Sequence, residues 1–141
     1  MKKFISVLVL ITFVFSLFAC ESKVPKVIQD SETCIVISTF DCDYTITDKS
    51  TLLDYMNYLK NSGEIDFELN GTMLQSINDT ENKSDFSYFW ALYTSDKDNS
   101  NDAWGTVVYN EEIYGSAIFG VDTLRIKENC LYIWLYQESE W

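Results

Sequence analysis

The chain predicts an α+β domain, a mostly β sheet with one helix laid across it, and three observations carry that expectation. Runs rich in β-branched and aromatic residues, at 33–40, 86–94 and 131–136, alternate with polar turns. One stretch, 52–59, places its apolar residues at helical spacing. A hydrophobic content of 47% with 16% aromatic residues supplies a core, and one core is what this chain length supports.

Taken in order, Glu21 to Glu32 is polar, lacks periodicity and holds the only proline, Pro25, so it reads as a tether. Thr33 to Phe40 is rich in β-branched residues and reads as a strand, with Asp43 to Thr47 as a short second one. Thr51 and Asp54 fit a capping box. Leu52, Tyr55, Met56 and Leu59 then share one helical face, and Asn61-Ser62-Gly63 provides the stop. Ile65 to Leu69 and Thr72 to Ile77 flank Asn70-Gly71, a hairpin signal. After the polar loop 78–85, Phe86 to Thr94 is a central strand; Ser95 to Asp102 is a second polar loop and Trp104 to Tyr109 another strand. Glu111 to Asp122, with Gly115 and Gly120, reads as a loop with one helical turn, Thr123 to Ile126 as a short strand and Leu131 to Tyr136 as a long one.

The N-terminus carries an address. Lys2 and Lys3 precede an uncharged run from Phe4 to Ala19 that ends at Cys20, the layout of a bacterial lipoprotein leader. That run is 16 residues with three hydroxyl side chains, short of the roughly 20 apolar residues a spanning helix needs. The expected organisation is a signal peptide at 1–19, a lipidated cysteine with its tether at 20–32, and one domain at 33–141. Acyl chains on Cys20 would anchor the protein at the extracytoplasmic face of the membrane, each buried methylene adding about 0.8 kcal/mol.

Charge and composition exclude several roles. The formal net charge is −12, and loss of Lys2 and Lys3 with the leader makes it more negative. Nucleic acid and anionic headgroups both need a basic footprint, so neither is an expected partner. There is no histidine, which removes Ser-His-Asp and Cys-His catalysis and the usual zinc ligand sets. Asp96, Asp98, Ser100 and Asp102 alternate like calcium-loop ligands, but Asn101 stands where the loop glycine belongs and Val107 where the bidentate glutamate belongs. No metal, cofactor or catalytic group is expected.

With Cys20 acylated, Cys34, Cys42 and Cys130 form an odd set without C-x-x-C spacing. Cys34 and Cys130 each begin an expected strand, and parallel neighbours would bring them within disulfide reach. Cys34 with Cys42, or three free thiols, are the alternatives. Strand alternation places Tyr132, Trp134 and Tyr136 opposite Leu131, Ile133 and Leu135. One face would meet the helix; the other would carry rings with polar handles. Trp90, Trp104, Tyr109 and Tyr114 are the expected binding residues, Trp104 and Tyr114 the more exposed.

Several segments together resemble the transcobalamin C-terminal-like domain family of unassigned function, common in bacterial surface lipoproteins. They are the Cys-flanked first strand at 34–42, the helix region 50–56, Leu74 to Asn78, Tyr88 to Thr94, Tyr114 to Asp122 and the closing strand 130–136, in the family's order. The resemblance implies a β-grasp-like mixed sheet with one helix across it, and a non-catalytic binding module. Transcobalamin relatives enclose a corrinoid with this domain, so capture of a corrinoid or another vitamin for uptake is implied. The alternative is a surface adhesion module that binds protein or glycan through an aromatic face.

Overall fold

The computed structural model describes residues 26–140, so the leader and Cys20 lie outside the described residues. In chain order the elements are β1 (Val27–Ser31), β2 (Cys34–Ser38), α1 (Leu52–Asn61), β3 (Phe67–Asn70), β4 (Met73–Ile77), β5 (Thr80–Glu81), β6 (Tyr88–Thr94), β7 (Ser100–Tyr109), β8 (Glu112–Ala117) and β9 (Leu131–Glu138), with a 3-10 turn at Lys97–Asn99. Six strands form a sheet in the order β1-β2-β9-β6-β8-β7, and β3-β4-β5 form a small second sheet. The domain is therefore α+β. Among the described residues no helix is long and apolar enough to cross a membrane.

Every strand pair is antiparallel, which corrects the expectation of a mixed sheet. It also corrects the Cys34–Cys130 disulfide. Cys34 faces Leu135 across the β2–β9 pair, whereas Cys130 hydrogen-bonds through its backbone to Thr39 at the far end of the same pair. Five residues of strand, about 16 Å, separate the two positions, far beyond disulfide reach. Cys34, Cys42 and Cys130 are free thiols.

Helix α1 forms where the sequence places it. Thr51 Oγ1 accepts from the Asp54 amide at 3.2 Å while Asp54 Oδ2 accepts from the Thr51 amide at 2.9 Å, closing the capping box. Two further first-turn amides are taken up by backbone: Leu52 N–H donates to the Leu124 carbonyl and Leu53 N–H to that of Val121, both at 2.9 Å. Leu52, Tyr55, Met56 and Leu59 are fully buried. They pack on Ile35 and Ile37 of β2 and on Tyr132 and Trp134 of β9, and the Tyr55 hydroxyl donates to the Ser38 carbonyl at 2.8 Å. The ring-bearing face of β9 is thus the one the helix covers. The opposite face holds Val36, Tyr93 and Ile133, overlaid by Tyr109 and Tyr114 from β7 and β8.

Four segments depart from their expected form. The second half of the expected tether is strand β1, which pairs with β2. Residues 43–47 form no strand, and of 123–126 only Arg125 makes a bridge, to Thr51. Residues 112–117, expected as loop, are strand β8 because Gly115 lets β7 cross at close range; a Cβ there would run into Asp102. The β3–β4 hairpin turns at Gly71-Thr72, one residue beyond the expected pair, with Asn70 facing Met73.

Candidate functional site

The site follows from where β8 leaves β6. Tyr88 to Thr94 are paired with β9 along their whole length, but on the other side β8 pairs only with Tyr93 and Thr94. Beyond Ala117 the chain turns away, the Ile118 amide donating to the Asn99 carbonyl. The sheet splits there, and the split is a cleft of about 630 Å³ between the free edge of β6 and the segment 117–121.

Its walls are apolar: Leu74 and Val121 below, Trp90, Leu92 and Trp134 along the sheet. The rim carries Met73, Phe86, Trp104 and Phe119, all exposed, Trp104 at 65%. No lining residue is an acid, lysine or arginine. The Tyr93 hydroxyl is held by Gln137 Oε1 at 2.8 Å. Phe86 occupies a left-handed backbone conformation (φ 55°), which is unusual for a bulky residue. A turn in which its amide donates to the Lys83 carbonyl at 2.9 Å holds it there. Strain of this kind costs on the order of 1–3 kcal/mol and is concentrated at ligand-handling sites.

Two buried groups shape the floor. Asn82 joins β6 to β4: its Nδ2 donates to the Leu74 carbonyl at 2.7 Å and its Oδ1 accepts from the Trp90 amide at 2.9 Å. The Trp90 indole N–H donates to the Thr80 carbonyl at 2.8 Å. By contrast the indole Nε1 of Trp134, also buried, has no partner among the described residues.

The four expected binding residues are divided. Trp90 and Trp104 line the cleft. Tyr109 and Tyr114 lie on the opposite face of the sheet, against the cluster around Val36 and Ile133. There burial raises both phenols, aided for Tyr109 by the Asp30 carboxylate and for Tyr114 by Glu112. Trp134, also in the cleft, stood on the expected ring-bearing face but not among the expected binding residues, whereas Met73, Phe86 and Phe119 belong to the cleft and escaped sequence reasoning. The only sequence trace of them is an aromatic beside a turn, as in Phe119-Gly120.

The calcium-like loop has another use. Lys127 Nζ sits between Asp96 Oδ1 at 2.8 Å and Asp98 Oδ2 at 2.7 Å, while Asn99 Nδ2 donates to Asp96 Oδ2 at 2.6 Å. An ammonium occupies the position a cation would take, and no group of ligands suited to a metal occurs among the described residues. Burial pushes the Asp96 carboxyl up, but the bonds from Lys127, Asn99 and the Asp98 amide outweigh it, so its pKa lies below the ordinary value. That stabilisation is present above the unfolded value of about 3.9 and is lost as pH falls through the lower folded value. Lys127→Met is expected to lower stability at pH 7 by about 1–2 kcal/mol. It should also flatten the loss of stability between pH 5 and 2. Urea midpoints across that range measure both effects, and an unchanged acid slope would contradict the assignment.

Comparison of the chain with protein-family models, with curated proteins and with solved structures found no match.

Proposed function

We propose that the protein is a lipid-anchored, extracytoplasmic, non-catalytic binding protein that captures a small ring-bearing molecule in the cleft beside β6. The observation that carries this reading is the cleft itself: about 630 Å³, apolar, uncharged and rimmed by exposed rings. Small-molecule sites of roughly 300–1,000 Å³ have this character. The absence of histidine from the sequence supports binding over catalysis. Anchoring rests on the leader ending at Cys20. The volume suits one ring system, so a corrinoid or other vitamin would seat a part of itself there and extend over Trp104 and Phe119. The family resemblance and its β-grasp-like fold are consistent with the single helix packed on one sheet face, although that fold's mixed sheet differs from the antiparallel pairing found here.

Titration of the full-length protein in detergent with cobalamins and other vitamins, followed by tryptophan fluorescence with inner-filter correction, tests the reading. A saturable change is expected, weakened about tenfold or more in Trp104→Ala. Because Trp104 is mostly solvent-exposed, that variant should keep its thermal midpoint. Absence of saturable binding by any vitamin, or an unchanged affinity in Trp104→Ala, would count against the cleft. Palmitate labelling that persists in Cys20→Ala would count against the anchor. A second reading, a contact surface for protein or glycan, is favoured by Val108 and Ile113, an exposed cross-strand pair on the β7–β8 hairpin. Loss of partner binding in Val108→Asp with vitamin binding intact would support it.

A further inference from the structure

The free edge of β6 carries more than apolar surface. Trp90 N–H is turned to Asn82, and the Tyr88 carbonyl accepts from the Lys83 amide at 2.9 Å. Peptide groups of alternate residues point to the same side of a strand. Leu92 therefore directs its peptide groups, like those of Trp90, away from β9 and toward the cleft. Pairing with β8 stops at Tyr93. The ladders on either side consequently give the Trp90 carbonyl and the Leu92 N–H no strand partner. They are an acceptor and a donor, two residues apart, on one line within an apolar slot.

We infer that the cleft reads its ligand as a missing piece of strand, Leu92 N–H donating to the carbonyl and Trp90 C=O accepting from the N–H of a neutral lactam or imide ring. This rests on the reading of the cleft as a small-molecule site. An added peptide strand fits less well, because the edge is closed at one end by β8 and at the other by Asn82 and Lys83. One donor and one acceptor remain, enough for a cyclic amide and too few for a strand ladder. Neutrality follows from the uncharged lining and from the net charge of −12, which disfavours anions. Buried peptide groups left unpaired are costly, so a ligand that serves both gains more than one that is only apolar. Planarity follows from the rings of Trp90, Phe86 and Trp104 along the wall and rim.

The test uses ¹⁵N-labelled full-length protein in detergent and three probes of one shape: quinolin-2(1H)-one, its N-methyl derivative and naphthalene. The lactam is expected to bind saturably and to move the Leu92 amide proton downfield. The N-methyl compound, which cannot donate to Trp90, should bind at least tenfold more weakly, and naphthalene weaker still. Equal affinity of the three, with cleft resonances shifting, would overturn the lactam assignment and leave small-molecule capture standing. A lactam that binds without moving Leu92 would also overturn it. If no probe perturbs the cleft, both the lactam assignment and its use as a small-molecule site fall.

Discussion

Replacing Leu124 by alanine is expected to lower the unfolding free energy by about 2–5 kcal/mol, as for other large-to-small changes in closed cores. Leu124 is fully buried among the residues that α1 contacts, and its carbonyl holds the Leu52 amide at the helix N-terminus. The truncation leaves a cavity and loosens a segment that closes the first turn of the helix. Chemical denaturation with far-ultraviolet circular dichroism gives the magnitude. A loss below about 1 kcal/mol would show that the 120–126 segment is dispensable to the core. Comparison with Thr51→Ala, expected to cost about 1 kcal/mol through the cap alone, separates packing from capping.

Asn82→Leu should be nearly as severe, at about 2–5 kcal/mol. The side chain is buried and satisfies two backbone groups, the Leu74 carbonyl and the Trp90 amide, and each group left without a partner costs about 1–3 kcal/mol. Leucine is of similar size, so little of the loss can come from packing. Asn82→Asp keeps the acceptor for Trp90 but sets a buried carboxylate oxygen against the Leu74 carbonyl, so at pH 7 it is expected to destabilise at least as much as Asn82→Leu. Equal stability of Asn82→Leu and wild type would remove the pin between the two sheets. Calorimetric midpoints of the three proteins order them directly.

How far the fold was legible depended on whether one segment carried its own reason. Helix α1 was legible because Thr51, Asp54 and four apolar residues at helical spacing are local information. Strands β2, β6 and β9 announced themselves through unbroken apolar character. Strand β1 did not, since only part of an edge strand is buried; Val27 and Ile28 pack while Asp30 and Ser31 stay exposed. Strand β8 was masked by Gly115, whose purpose, close passage of β7, exists only in three dimensions. Alternation separated Tyr132, Trp134 and Tyr136 from Leu131, Ile133 and Leu135, but not which set the helix covers. The cleft was half legible for the same reason. Aromatics were visible, whereas Trp90 and Trp104 part company with Tyr109 and Tyr114 because β8 abandons β6 after two pairs.

The two carbonyls that receive the Leu52 and Leu53 amides belong to the segment whose Gly120 and Val121 form a wall of the cleft. On the proposed reading of the cleft, occupancy and helix integrity would be in thermodynamic linkage. A ligand that seats against this wall raises the stability of the folded state by RT ln(1 + [L]/Kd), about 2.7 kcal/mol at a hundredfold excess over Kd. Amide exchange at Leu52 and Leu53, on the first turn of α1, would slow with it. The start of the helix would then serve as a gauge of whether the cleft is filled.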